Sequence, residues 1–434
     1  MRCLFPSWMA VVVAAFLPTA VASHLLAERP TGEIRVARLV RQLGSSDFSS
    51  REQANQSLAK LGAEGRPHLE LALESDDPEI RLRARNLLNR LDLDEFWRSR
   101  SVSCQAQGDP ASKILESLAK QSGNHLFMGG TYGGFNDLPV DLDCKNLPFW
   151  EAVDEVCLKT KNHVRPHYDS RLTGLVVASG PSGGFPVAYA GPLRAQITSA
   201  RRVFVEELSY EDKKSDVTHT FQINLQVLWE DRFRLVAFCT QPEVILAETD
   251  TNQALSAASN SSSWNVATTS TRQLTANLRL SPPAAGAQKL KTLKLRWGMM
   301  GVGNIAQLEI ADLTPHKRHQ QEGATITIES FDARPGGRYE VGLLLCRDTA
   351  MPDPPEIMQQ ENDVELIDEA GNAFRVQGQS SVLTDEGVQM HVNFAADSSE
   401  TAPKAIRVSY PRFRSRRDVE ITFKDVPLPV TRPE

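Results

Sequence analysis

"HTFQINLQVLW", from His219 to Trp229, puts Phe221, Ile223, Leu225, Val227 and Trp229 on one side of an extended chain and polar residues between them. A period of two sustained this long is the pattern of an antiparallel strand with one buried face. The same alternation fills the second half of the chain. It runs through Val203 and Val205, through Leu274, Ala276, Leu278 and Leu280, and through Leu293 and Leu295. Further on it returns at Ile326 and Ile328, at Tyr339 to Leu345, at Val388 to Phe394, at Ile406 to Tyr410 and at Val419 to Phe423. Turn stretches such as "PGG" and "EAGN" separate these runs, and a Ser/Thr-rich loop, "SAASNSSSWNVATTST", interrupts them. Many short alternating strands predict an all-β half made of two antiparallel β-sandwiches, over 191–315 and 320–434.

Toward the N-terminus, beyond a Gly/Pro-rich linker from Ser179 to Pro192, helical and extended patterns alternate. "VSCQAQ" reads as a strand, and Asp109-Pro110 opens a helix with Ile114, Leu115 and Leu118, which Gly123 ends before the extended "HLFMG". The order repeats with a strand holding Leu142 and Cys144, a helix with Trp150, Val153 and Val156, and a strand near Val164; "LTGLVVAS" follows. A duplicated β-α-β module over 100–180 is the expectation.

Over 24–97 the apolar period lengthens to that of a helix. Asp47, Arg51, Ala54, Leu58 and Leu61 recur thirty residues on as Asp77, Arg81, Ala84, Leu88 and Leu91. Asp77-Pro78 is an N-cap followed by proline where the missing N–H costs nothing. The pattern stops near Leu93, so a short helical cap is expected here rather than a solenoid, which needs three or more repeats. Fold class is therefore multidomain: α, then α+β, then all-β.

Two resemblances follow from these residues. "DPEIRLRARNLLNRL" resembles a HEAT-type repeat helix, and "DFSSREQANQSLAKLG" is more loosely similar. "VDLDCKNLPFWEAVDEVC", with "DPASKILESLAKQSGNHLF" as a first half, resembles the short N-terminal domain of bacterial secretins and TonB-dependent receptors. That resemblance implies a module contacting periplasmic protein partners, without catalysis.

Residues 1–22 read as a secretory signal: Arg2, an apolar run from Met9 to Leu17, and Ala20-Val21-Ala22 before the cleavage point. Export to the periplasm or cell envelope, or to the medium, is expected, with no membrane span after cleavage. The 434-residue chain carries a net charge of −6, which becomes −7 once Arg2 is removed. An acidic balance argues against binding nucleic acid through its phosphates. Five cysteines remain, too few for a disulfide framework in a chain of this length. Cys104 and Cys144 are read as equivalent strand positions of the two module halves and are the candidates for a disulfide.

Chemistry-bearing motifs are sparse. "GVGNIA", from Gly301 to Ala306, fits a Gly-x-Gly-x-x-Ala fingerprint, but the alternating "QLEIADLTP" after it is no phosphate-binding helix, and a glycine turn between strands is expected instead. His163 with His167, and His316 with His319, lack the helix or the further ligands of a zinc site. Cys157 lies on the apolar side of its helix, away from nucleophile duty. Glu206-Glu207 and Asp368-Glu369 are neighbours whose side chains diverge. Trp264, in the Ser/Thr-rich loop, is the candidate for stacking on a sugar ring. The expectation is a non-enzymatic exported protein without cofactor or metal that binds an envelope protein partner. A glycan- or cell-wall-binding protein is the alternative, and a secreted hydrolase the third reading.

Overall fold

The computed structural model describes residues 31–129, 134–166, 175–180, 185–211, 215–257, 263–267, 272–321, 324–347, 363–396 and 402–429. The expected signal, His167 and most of the Ser/Thr-rich loop lie outside them. Within them the chain is a mixed α+β protein with a large β part, arranged as several antiparallel sheets and few helices. It divides into two compact units, 1–95 and 96–434.

The first unit is helical: α1 (Thr31–Gln42), α2 (Phe48–Leu61), a 3-10 turn (Gly62–Gly65), α3 (Arg66–Ala72) and α4 (Pro78–Phe96), whose last residue, Phe96, begins the second unit. The thirty-residue repeat is visible bond by bond. Asp47 N–H donates to Ser45 Oγ (3.2 Å), and Asp77 N–H to Ser75 Oγ (3.3 Å). Arg51 Nη1 donates to the Ser45 carbonyl (2.6 Å), and Arg81 Nη1 to the Ser75 carbonyl (2.5 Å). Each arginine thus reaches back over its own helix start and pins the preceding turn. Ala54 and Leu58 of the first copy and Ala84 and Leu88 of the second are buried in one core with Leu43 and Leu69. Gly44 permits this packing, since a Cβ there would meet Asp77 Oδ2 at 2.3 Å.

The second unit begins with β1 (Ser101–Pro110), α5 (Ala111–Ser122), β2 (Leu126–Met128), β3 (Pro139–Pro148), α6 (Phe149–Thr160), β4 (Asn162–Pro166) and β5 (Leu175–Ser179). Ser101 and Pro139, Ala111 and Phe149, and Gly123 and Lys161 all stand 38 residues apart. The special conformations repeat too. Gly108 and Asn146 have φ of 67° and 53°, and the left-handed C-caps Gly123 and Lys161 have φ of 71° and 57°. The order is the expected one, but the pairing is not that of β-α-β units. β1 pairs antiparallel with β3, while β2 lies parallel to β5 and β4 antiparallel to it. With β1 and β3 equally long, the two halves join strand to strand, and α5 and α6 both pack onto the resulting core through Ile114, Leu115, Leu118, Trp150, Val153 and Val156.

The remaining strands are β6 (Val187–Ala190), β7 (Leu193–Leu208), β8 (Ser215–Trp229), β9 (Arg234–Cys239), β10 (Glu243–Thr249), β11 (Trp264–Val266) and β12 (Gln273–Leu280). After them come β13 (Lys289–Ile310), β14 (Arg318–Gln321), β15 (Ala324–Arg334), β16 (Arg338–Arg347), β17 (Asp363–Ile367), β18 (Arg375–Leu383), β19 (Val388–Ala395) and β20 (Ala405–Pro427). They form three larger sheets, ordered β12-β8-β7-β6, β11-β9-β13-β20-β17 with β10 also on β13, and β14-β15-β16-β19-β18. Phe221, Ile223, Leu225 and Val227 of β8 share a core with Leu293, Leu295 and Trp297 of β13 and Ile421 and Phe423 of β20. A second core joins Ile326, Leu343 and Val392 to Ala306 and Ile310 of β13 and Ile406 and Val408 of β20. One β13–β20 ladder, from Lys289↔Pro427 to Ile310↔Ile406, therefore serves both expected segments, 191–315 and 320–434.

"GVGNIA" lies inside β13 and is not the turn its glycines suggested. Gly301 opposes Ser415 and Gly303 opposes Phe413 in the ladder. The glycine is there for close approach: a Cβ at Gly301 would sit 2.5 Å from the Phe96 ring. Phe96, Trp97 and Phe233 pack as an aromatic trio with centroids 4.6 to 5.5 Å apart, and Trp97 Nε1 donates to Ser415 Oγ (2.7 Å).

Next to this trio, the β8–β9 turn holds a fully buried carboxylate. Glu230 accepts from Ser99 Oγ (2.8 Å), from the Arg100 amide (3.1 Å) and from Arg232 Nε (3.2 Å). Burial pushes its pKa above the usual carboxylate value of 4.5, against the opposing pull of those donors. A raised folded-state pKa contributes stability that is fully present below the unfolded value and is lost as pH rises through the folded one. The advantage of the wild type over Glu230→Gln should therefore shrink as thermal melts are taken from about pH 4 to about pH 7. A pH-independent difference would show that the carboxyl is not raised.

Candidate functional site

α6 carries two faces. Phe149, Trp150, Val153, Val156 and Cys157 enter the core, while Glu151, Asp154, Glu155 and Leu158 turn toward the start of the β half. Between α6, β4 and β6–β7 lies a cleft of about 460 Å³. Its walls are apolar at Leu147, Leu158, Phe185 and Val187, and Glu151 and Glu155 also line it.

An ion pair between the buried Arg194 and the partly buried Asp154 lines the cleft as well. Asp154 receives Arg194 in two parallel bonds, Nε to Oδ2 at 2.7 Å and Nη2 to Oδ1 at 2.9 Å, and Tyr189 OH at 2.7 Å. Arg194 Nη1 continues to Gln196 Oε1 (2.5 Å), Gln196 Nε2 to Gln226 Oε1 (2.6 Å), and Gln226 Nε2 to Gln273 Oε1 (2.7 Å). A bidentate pair extended by three amides holds α6 to β7, β8 and β12 in one geometry. Trp150, one turn before Asp154, adds Nε1 to the Pro192 carbonyl at 3.0 Å. Burial beside Asp154 raises the Tyr189 hydroxyl far above its ordinary range, so it stays protonated and acts as a donor.

His163 stands at the cleft's edge, its ring against Phe185 (6.2 Å, edge-on). Its Nδ1 is buried with no hydrogen-bond partner among the described residues, and burial lowers its pKa, favouring the neutral imidazole. Gly180 makes room for that ring, because a Cβ there would lie 2.1 Å from Nδ1. Cys157, though it lines the cleft, is buried and its thiol is pushed up to about 12, which leaves it a poor nucleophile.

The cleft gathers none of Trp264, Cys104 and Cys144. Trp264 is half-buried on β11 against Met300 and Val302, and the Arg416 guanidinium lies 4.8 Å from its ring centroid. A sugar stacking on that face would have to displace Arg416. Cys104 and Cys144 lie opposite one another on β1 and β3 as free thiols. They are not equivalent positions: at the 38-residue offset Cys104 corresponds to Leu142, so their meeting follows from antiparallel register and not from duplication. His319 is on β14, His316 precedes it with φ of 66°, and no cluster of three or more metal-ligating side chains occurs among the described residues. Glu206 and Glu207 sit on the far half of the β7–β8 hairpin, where Phe204, Leu208 and Tyr210 are also exposed. Among the described residues no helix is long and apolar enough to cross a membrane.

Sequence reading missed Asp154 and Arg194, which are forty residues apart on a helix and a strand. Nothing local set Asp154 apart, since it is one of three acids, with Glu151 and Glu155, on the polar face of α6. The chain matches no protein-family model, no curated protein and no solved structure.

Proposed function

We propose that this chain is an exported, non-enzymatic interaction protein of the bacterial envelope, which holds a protein partner in the α6/β6–β7 cleft. The observation that supports it most is that cleft: an apolar-walled hollow also lined by the carboxylates of Glu151 and Glu155, and braced by the bidentate pair of the buried Arg194 with the partly buried Asp154. Such a site suits an apolar side chain from a partner segment, flanked by a basic residue facing Glu151. Leu158, 72% exposed, offers the apolar contact at its lip. On this reading the helical unit is HEAT-like, residues 100–180 are a module similar to the secretin/TonB short N-terminal domain, and the β half is two sandwich-like halves with a shared sheet. The signal at residues 1–22 delivers the protein to the periplasm or cell surface.

The test is an affinity pull-down from an envelope extract with the protein beginning at Ser23. Leu158→Glu changes an exposed residue and should leave folding intact while weakening partner retention about tenfold or more. Undiminished retention by that variant would remove the cleft from the account. Retention only by cell-wall polysaccharide, abolished by Trp264→Ala, would replace it with glycan binding.

A further inference from the structure

Cys104 and Cys144 are direct partners in the β1–β3 ladder, next to Gln105↔Asp143 and Ala106↔Leu142. On β1, Val102 and Ala106 are buried and the residues between them and Cys104 are exposed; on β3, Val140 and Leu142 are buried in the same alternation. Both thiols therefore hang from the core-facing side of the two-stranded sheet, packed at the edge of the module core.

Directly opposed residues in antiparallel strands have Cα atoms roughly 4.5–5.5 Å apart, inside the range of about 4.4–6.8 Å found for disulfides. Their Cβ atoms, at roughly 4.5–5.5 Å, need to close by about 1 Å to reach bonding geometry. A register irregularity lies between Val102 and Cys104, where the regular ladder is interrupted beside the pair. Accessibility also separates this pair from Cys157. Cys104 and Cys144 are half-buried, whereas Cys157 is sealed in the core.

We propose that Cys104 and Cys144 form a cross-strand disulfide that staples the two halves of the module. One thiolate attacks a disulfide oxidant, either a dithiol–disulfide oxidoreductase or oxidised glutathione, and forms a mixed disulfide; the second thiolate then displaces the carrier. One S–S bond forms as the oxidant's S–S bond breaks; two electrons pass to the oxidant, and the two protons given up by the cysteine thiols are balanced by two taken up, through water, as the oxidant's sulfurs become thiols. The supply of oxidant in the cell rests on the exported reading, but the pairing itself does not. Closing the loop from residue 104 to residue 144 should lower the unfolding equilibrium constant by roughly 10²–10³-fold.

The experiment equilibrates the reduced, purified chain with oxidised glutathione, blocks remaining thiols by alkylation and maps the peptides without reductant. The expected product joins the peptide containing Cys104 to the one containing Cys144 within one chain and leaves Cys157, Cys239 and Cys346 alkylated. Its resistance to denaturant should rise over the reduced form, and the Cys104→Ser/Cys144→Ser double variant should show no such response. Alkylated or merely glutathionylated Cys104 and Cys144, or a bond between two chains, would overturn the proposal; mapping the wild type makes this independent of how the variants fold. Pairing in vitro with free thiols in protein recovered from cells would uphold the pair and count against export.

Discussion

Asp154→Ala should destabilise the second unit by about 3–5 kcal/mol, the cost of leaving a buried charge without its partner. Arg194 is the reason: its side chain is 4% exposed, and both bonds of its guanidinium fork to a carboxylate end on Asp154. Removing the acid also takes away the acceptor of Tyr189 OH. Replacing both members, as in Asp154→Leu with Arg194→Met, should cost less than the single change, because no uncompensated charge then remains. Chemical denaturation of the two variants and the wild type gives the comparison. A loss below about 1 kcal/mol for Asp154→Ala would mean that water reaches Arg194 and that the cleft is not rigid.

Gly191→Ala should be as damaging, on the order of 4 kcal/mol. Gly191 has φ of 57°, and a Cβ on it would lie 2.1 Å from the carbonyl oxygen of Trp97 and 3.2 Å from its carbon. Both clashing atoms are backbone, so no side chain can swing away. The next residue, Pro192, presents its carbonyl to Trp150 Nε1 at 3.0 Å and to the Glu230 amide at 3.1 Å. A shift at position 191 would thus pull on α6 and on the buried Glu230 turn together. Gly286→Ala provides the contrast, because that glycine also has a positive φ, 95°, but no atom within 4 Å of the added Cβ. Its melting temperature should fall far less than that of Gly191→Ala; equal losses would show that backbone strain alone, without the clash, sets the cost.

What the sequence displayed was whatever depends on neighbours along the chain. Phe221 to Trp229 could be read as a strand because alternate side chains face opposite sides, and Ala54, Leu58, Ala84 and Leu88 as a repeated helix face because helical spacing brings them together. Long strands were harder. β13 and β20 each look like two short strands, since Gly298, Gly301 and Gly303 interrupt one and Pro411 the other. Their continuity is settled by distant groups: Phe96 fills the space left by Gly301, and Cys239 Sγ lies where a Cβ on Gly298 would come within 2.7 Å. The candidate site was hidden for the same reason. Asp154 reads as one more helix-surface acid until the fold sets it against Arg194, and Trp264 reads as an open aromatic until Arg416 covers one face.

The most direct test of the account is photo-crosslinking in cells of the source organism, with a photoreactive amino acid in place of Leu158 at the lip of the cleft. An adduct is expected between the processed chain, beginning at Ser23, and an envelope protein, with the cross-linked peptide of the partner rich in apolar residues beside a lysine or arginine. Absence of any protein adduct from Leu158, or adducts equally abundant from an exposed control position such as Val382, would contradict it.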